Sequence, residues 1–379
     1  MPGRAALVYG EEFMSYRHGD WHPLQPVRVK YAVELMEATG LLNEKVERIR
    51  PRQAAQEELE LIHATSYIEL VKKLGHGKQL SQADLAGLLH SGFAHSDNPV
   101  FPDMHEASAL IAGGSVQAAQ LVHSGQADHA FNPAGGLHHA MRDSAWGFCV
   151  YNDVAVAVEW LKRNGHRVAV VDVDVHHGDG TQAAFYGDPD VLTISLHGFY
   201  RNFFPGTGEP SEIGTGPGRG ASANVPLPAF TWDEPWLHAF TQTVPRLVKE
   251  FAPTVLVTQD GCDTHVLDPL AELRCSTRIW PVIAKTFHEL AHDLCKGRWV
   301  VLGGGGYAVE EVVPKAWTLL VAEMVDEPDK AAHLLDEKPF PPVPEAQERI
   351  WPVVERSLAE LDRALAAANL AQRPSERLE

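Results

Sequence analysis

The sequence predicts a single α/β domain built on a central parallel β-sheet, with helices on its faces and its functional groups at the carboxyl ends of the strands. Three observations carry this. Three short apolar runs rich in β-branched residues each break into a polar, glycine-rich turn: RVAVVDVDVHHGDG (167–180), TVLVTQDGCD (254–263) and RWVVLGGGGY (298–307). Runs of this kind are what strands buried on both faces require. Between and around them lie segments of helical periodicity. Finally, no composition break, low-complexity tract or internal repeat divides the 379 residues, and alternating strands and helices in one block point to a doubly wound or related fold.

In chain order, AVAVEWLKRNG (155–165) reads as a helix that stops at Gly165, where a C-cap needs the left-handed conformation. WLHAFTQTVPRLVKEF (236–251) is a second helix and TRIWPVIAKTFHELAHDLCKG (277–297) a third. The last spans about 343–370 and is amphipathic, with Ile350, Val354, Leu358, Leu361 and Leu365 on one side. Residues 1–370 are therefore expected to form the one domain, and 371–379 a disordered tail.

Composition narrows the function. A 45% hydrophobic chain of this length can bury a large core. The formal charge of −18, with no Lys/Arg block, argues against direct contact with nucleic acid or an anionic membrane. No stretch approaches 18 apolar residues, and Met1–Ala6 lacks the apolar run of a signal peptide. The four cysteines form no CxxC pair and read as reduced thiols of a cytoplasmic protein. Oligomeric state is not legible.

The chemistry gathers at the strand ends. In VDVDVHHGDG, Asp172, Asp174 and His176 alternate with valines, and in an extended strand residues two apart share a face. Buried charges are costly unless paired or bound to a metal, and an oxygen and nitrogen donor set suits a divalent ion such as zinc. An isolated DxD would read as a salt-bridged strand end. Asp263 ends the next apolar run, and with Asp174 and His176 it would complete three ligands and leave one position open for water or substrate. His138 and His139 follow NPAGGL, and Asp172 and Asp179 are available to orient them. GGGGY (303–307) places Tyr307, a phenol able to donate to an oxyanion, on a loop that can approach a ligand closely.

Six motifs in order, HPLQPVR (22–28), GFCVYND (147–153), DVDVHHGDG, FFPGTGE (203–209), QDGCDTHVLDPL (259–270) and LGGGGY, resemble the zinc-dependent histone deacetylase family in its bacterial acetoin-utilisation branch, from about residue 7 to 325. The resemblance implies an arginase/deacetylase-like fold and a zinc hydrolase that removes acyl groups, acetyl foremost, from N-ε-acyl-lysine in protein or peptide substrates. It implies Asp174, His176 and Asp263 as zinc ligands, with Fe2+ able to replace zinc in cells. His138 and His139 match the tandem histidines, backed by Asp172 and Asp179. Tyr307 matches the transition-state tyrosine. Gly147, Phe148 and Phe204 match the acyl-lysine tunnel, Asp97 the rim aspartate, and Arg28 the arginine beneath the site. Two structural K+ sites are implied. One uses Asp172, Asp174, His176, Ser195 and Leu196, and the other backbone carbonyls near Phe185, Asp188 and Val191.

Other readings stay open. An acetylpolyamine deacetylase would use the same chemistry on a small cation. Such relatives often carry an acid seven residues after the last zinc ligand, where this chain has Leu270, although Glu272 is close by. A catalytically silent binding protein would have lost a ligand or the tyrosine, and neither is lost. A binuclear arginase-like site would want more carboxylates. HELAH (288–292) matches the HExxH zinc pattern of metalloproteases but lacks a third ligand at the spacing those enzymes use, so it reads as an outer helix with two histidines on its polar edge.

Overall fold

Eight parallel strands form one sheet in the order β2-β1-β3-β8-β7-β4-β5-β6. They are β1 (Ala5–Val8), β2 (Val46–Ile49), β3 (His129–Asn132), β4 (Val168–Asp172), β5 (Val191–Gly198), β6 (Ser222–Leu227), β7 (Val255–Gln259) and β8 (Trp299–Leu302). The structure is a computed structural model that describes residues 4–93, 95 and 97–372. The three strands legible in the sequence are β4, β7 and β8, which lie side by side in the middle of the sheet. Their residues alternate between two hydrophobic layers: Ala169, Val171 and Leu256 face one, Val168, Val170, Val255 and Val257 the other. This double burial is why the runs are apolar throughout.

The predicted helices form with small shifts at their ends. Asp153–Arg163 is capped by the Asn152 side chain, which accepts from Ala155 N, and Gly165 beyond its end takes φ +85°. Asp233–Phe251 carries Pro245 inside it. Trp280–Cys295 follows a single 3-10 turn, Thr277–Ile279. The last helix, Pro344–Gln372, buries all five apolar residues read from the sequence and covers the edge strand β6, where Ser357 Oγ donates to the Pro226 carbonyl at 2.9 Å. It includes two residues assigned in advance to a tail, 371 and 372; residues 373–379 lie outside the described residues. All four cysteines are buried free thiols. No helix among the described residues is long and apolar enough to cross a membrane.

One local expectation is corrected. VDVDVH does not continue as strand to His176: β4 ends at Asp172. Beyond it the carboxylates capture the backbone. Asp174 N donates to Asp172 Oδ1 at 3.1 Å, Val175 N to Asp263 Oδ1 at 2.8 Å, and His176 N to Asp174 Oδ1 at 2.9 Å. Aspartate side chains thus replace the sheet ladder and curl the segment over the strand ends.

The register sets the platform for that segment. Asn132, Leu302, Gln259, Asp172, Ser195 and Asn224 stand in one row across six strands; the loops after β3, β4, β7 and β8 leave from this row, and β5 runs three residues past it to Gly198. The loops after β3 and β8 cross in contact. Gly136 has φ +92°, and a Cβ there would lie 2.6 Å from Gly304 N. Gly136→Ala is therefore expected to cost at least about 1–3 kcal/mol, the range for a strained left-handed residue, in urea unfolding. Stability within about 0.5 kcal/mol of wild type would mean the two loops are not held against each other.

Candidate active site

The curled segment after β4 and the turn after β7 bring Asp174, His176 and Asp263 together. All three are buried, and one donor atom from each lies within 4.8 Å of the others. His176 Nδ1 stands 3.1 Å from Asp174 Oδ1 and 3.0 Å from Asp263 Oδ2. Ligand bonds of about 2.0–2.2 Å around a tetrahedral ion put neighbouring donors roughly 3.3–3.6 Å apart, so the nitrogen would have to draw back from each carboxylate oxygen by only a few tenths of an ångström to admit a zinc-sized ion. The remaining oxygens are held by the scaffold. Asp174 Oδ2 accepts from Gly305 N at 2.7 Å and Gln259 Nε2 at 2.8 Å, while Asp263 Oδ1 takes Val175 N. Fixing the far oxygens aims the near ones.

The electrostatics show how crowded this charge is. Burial, then the neighbouring Asp174, raises Asp263 to about 7. Burial would lower His176, but its bonds to Asp174 and Asp263 outweigh that and lift it to about 10. Buried carboxylates that cannot reach water call for a cation at their centre.

Beside the triad stand two His–Asp pairs. His138 Nδ1 is 2.6 Å from Asp172 Oδ2, and His139 Nδ1 is 2.7 Å from Asp179 Oδ1. The two Nε2 atoms meet at 3.0 Å. Burial works against a charged His138, yet Asp172 and Asp174 win and raise it to about 9. Burial and the neighbouring His138 push His139 down to about 4. Adjacent residues of like burial are thus driven in opposite directions, His138 up by its carboxylates and His139 down by burial and His138. The loop that carries both is pinned by Asp153, which accepts from Gly136 N and Leu137 N at 3.0 and 2.7 Å and from Ser115 Oγ.

Above these groups opens a pocket of about 250 Å³ lined by Asp97, His139, Gly147, Phe148, His176, Asn202, Phe203, Phe204, Leu270 and Tyr307. Phe148 meets the Tyr307 ring edge-on at 5.8 Å and Phe204 meets His139 at 4.9 Å, so the two predicted aromatics stand on the walls. Burial, with Asp263 and Asp174 nearby, pushes the Tyr307 phenol well above its usual value and keeps it a donor. Gly147 and Phe148 both adopt left-handed backbone, φ +50° and +69°. Tyr16 holds this turn, donating its hydroxyl to the Phe148 carbonyl at 2.7 Å and accepting from Val150 N at 3.1 Å. A Cβ on Gly147 would strike the His139 ring. Arg28 is buried beneath, donating to the Gly306 carbonyl at 2.8 Å, 6.0 Å from the Tyr307 ring.

Three contributors were not read from the sequence. Phe203 stacks on His176 at 5.0 Å, Asn202 lines the pocket, and Asp268 accepts from Tyr307 N at 2.7 Å and Leu270 N at 2.9 Å. The doublet Phe203-Phe204 and the aspartate within VLDPL were the available signals. For the two expected potassium sites, Ser195 pairs with Asp172 across β4 and β5, and Leu196 follows it. Phe185, Asp188 and Val191 lie along the turn that leads into β5, where Asp188 N already donates to the Phe185 carbonyl.

HELAH lies elsewhere. Its helix packs at the amino-terminal end of β3, where His288 and His292 face His129 at ring distances of 4.8 and 5.1 Å. The expectation of two histidines on an outer polar edge holds for the exposed His292 and is corrected for His288, which is turned inward against the buried His129.

A family model described as the histone deacetylase domain matches residues 22–324. The chain is 41% identical over 321 residues to the acetoin utilization protein AcuC of Bacillus subtilis, covering 84% of this chain and 82% of that one. It is 38% identical over 332 residues to AcuC of Staphylococcus aureus MRSA252 (87% and 84%), and 36% identical over 328 residues to AcuC of Staphylococcus xylosus (86% and 84%). For the triad, Asp263→Asn is expected to lose one equivalent of bound zinc by elemental analysis, with an unchanged circular dichroism spectrum. Undiminished zinc would remove Asp263 from the ligand set.

Proposed function

The chain belongs to the histone deacetylase family, and on that premise we propose that it is a zinc-dependent hydrolase that removes acyl groups, chiefly acetyl, from N-ε-acyl-lysine side chains of proteins. The observation that carries this reading is convergence. A buried donor triad, two His–Asp pairs and a half-buried phenol converge on one aromatic-walled pocket.

Asp174, His176 and Asp263 would hold the ion. When bound, zinc would polarise an acyl carbonyl and acidify a water molecule; Fe2+ also accepts nitrogen and carboxylate donors and could serve in cells. The chain's own groups do the rest. His139, neutral and oriented by Asp179, takes the proton from the attacking water through Nε2. Tyr307 donates its hydroxyl to the oxyanion that forms as water adds to the carbonyl carbon. The C–N bond then breaks, and the proton returns from His139 to the departing lysine amine. His138, held by Asp172, supplies positive potential beside this transfer; a cation at Asp174 would offset some of the carboxylate charge that raises it. Phe148 and Phe204 suit the lysine methylenes, Gly147 leaves room for the His139 ring, and Asp97 at the rim would receive the substrate backbone. Leu270 offers no second charge, which favours a peptide over a polyamine. Arg28 supports the Tyr307 loop from below.

Structural K+ is part of the same reading. One ion would sit at Asp172, Asp174, His176, Ser195 and Leu196, and another at the carbonyls of Phe185, Asp188 and Val191. The acidic surface is consistent with protein substrates rather than nucleic acid or membranes, and four buried free thiols support a reducing, cytoplasmic setting.

Tyr307→Phe is expected to lower kcat roughly 100- to 1,000-fold with little change in KM. Near-wild-type kcat would take the phenol out of the mechanism. Steady-state rates on an acetyl-lysine peptide should exceed those on N-acetylputrescine; the reverse order would keep the deacetylase chemistry and overturn the protein-lysine assignment.

A further inference from the structure

Three imidazoles meet at the end of the sheet opposite the pocket. His129 opens β3 and pairs in register with Trp299 at the start of β8. His288 and His292, one helical turn apart on Trp280–Cys295, face it, and their own rings are 4.6 Å apart. One ring nitrogen from each of the three lies within 4.8 Å of the others.

His129 is 0% exposed, and neither of its ring nitrogens makes a hydrogen bond of full geometry, although backbone of Asp128 and Gly297 lies close to the ring; His288 Nε2 is also buried without a partner. An unsatisfied buried polar group costs about 1–3 kcal/mol, so a ligand that engaged one nitrogen of His129 and of His288 would relieve a real penalty. Asp326 Oδ1 is 3.6 Å from His288 Nδ1, too far to bond. The rings also pack on Trp299, His129 at 5.5 Å and His288 at 6.3 Å, but this satisfies their faces and not their nitrogens.

We propose that His129, His288 and His292 form a second metal site, for a late first-row divalent ion such as Zn2+, that ties the helix to the amino-terminal end of the sheet. Three imidazoles are a donor set that zinc, copper and nickel accept. Around zinc, with bonds of about 2.0–2.1 Å, the nitrogens must close to roughly 3.4 Å, a shift of about 1.4 Å at most. The exposed His292 can make that shift by side-chain rotation, and its exposure leaves the fourth position to water. The site is not a peptidase centre. Glu289, the acid of the HExxH pattern, is 64% exposed and lies 4.0 Å from Lys285.

The test is a zinc count. Wild type, His292→Ala and Asp263→Asn are saturated with Zn2+, freed of excess by gel filtration and analysed for metal, with deacetylation measured alongside. Wild type should hold two equivalents. His292→Ala, a surface change, should hold one and keep its activity; Asp263→Asn should hold one and lose it. Equal zinc in wild type and His292→Ala overturns the proposal, as does a single equivalent in wild type or a loss of activity with His292. Cu2+ added to wild type should show nitrogen hyperfine splitting that His292→Ala loses; identical spectra overturn it too.

Discussion

The Asp174 carboxylate is the pivot of the molecule. It is buried at the carboxyl end of the sheet, where an ionised group survives only if every lone pair is answered. One oxygen faces His176, through both its backbone and its ring; the other takes Gly305 N from the loop after β8 and Gln259 Nε2 from β7. Three strands are therefore joined at a single side chain. Gly261 and Gly305 are glycines for the same reason, since a Cβ on either would collide with Asp174 or Asp263. The requirement to neutralise one carboxylate dictates the loop sequences on both sides of it.

The rim of the pocket follows a second constraint. Two consecutive residues, Gly147 and Phe148, take the left-handed conformation, which a phenylalanine adopts at a cost. The bonds from Tyr16 to this turn hold it there, and the paired hydrogen bonds between Trp146 and Cys149 close it. The outcome is an aromatic wall, the Phe148 ring set edge-on against Tyr307 across the pocket. Strain and catalysis meet because the ring has to stand where an ordinary turn would not put it.

Much of this was legible in the sequence, and the limit has a physical cause. Strands β4, β7 and β8 showed themselves as continuous apolar runs because both their faces are buried, and the acids and histidines past their ends could be picked out by type and spacing. Strands β1, β2 and β3 have four residues each, too few for periodicity, and β3 carries His129 and Asn132 where an apolar pattern would be sought. Strand β5 reads VLTISLHG, whose Thr193, Ser195 and His197 look like loop although all are buried. In the pocket, the acids, histidines and tyrosine that the fold brings together were readable, but not the residues that hold them. Asp153, Gln259 and Asp268 act on backbone groups 16 to 123 residues away. Nothing local marks such a bond. The alternation in VDVDVH correctly grouped Asp172, Asp174 and His176, but for a reason other than strand pleat: carboxylate capture of the backbone also brings every second residue to one side.

The order of the strands has a bearing on biosynthesis. The middle of the sheet, β7 and β8, is supplied by strands that come late in chain order, after β3 on one side and β4 on the other. A nascent chain that has emerged only as far as β6 holds two sheet fragments, each with a bare inner edge of unpaired backbone groups, the kind of edge that invites aggregation. Asp263 and Tyr307 arrive with the strands that close this gap. The strands that close the sheet are thus the ones that lead into the turns of Asp263 and Tyr307.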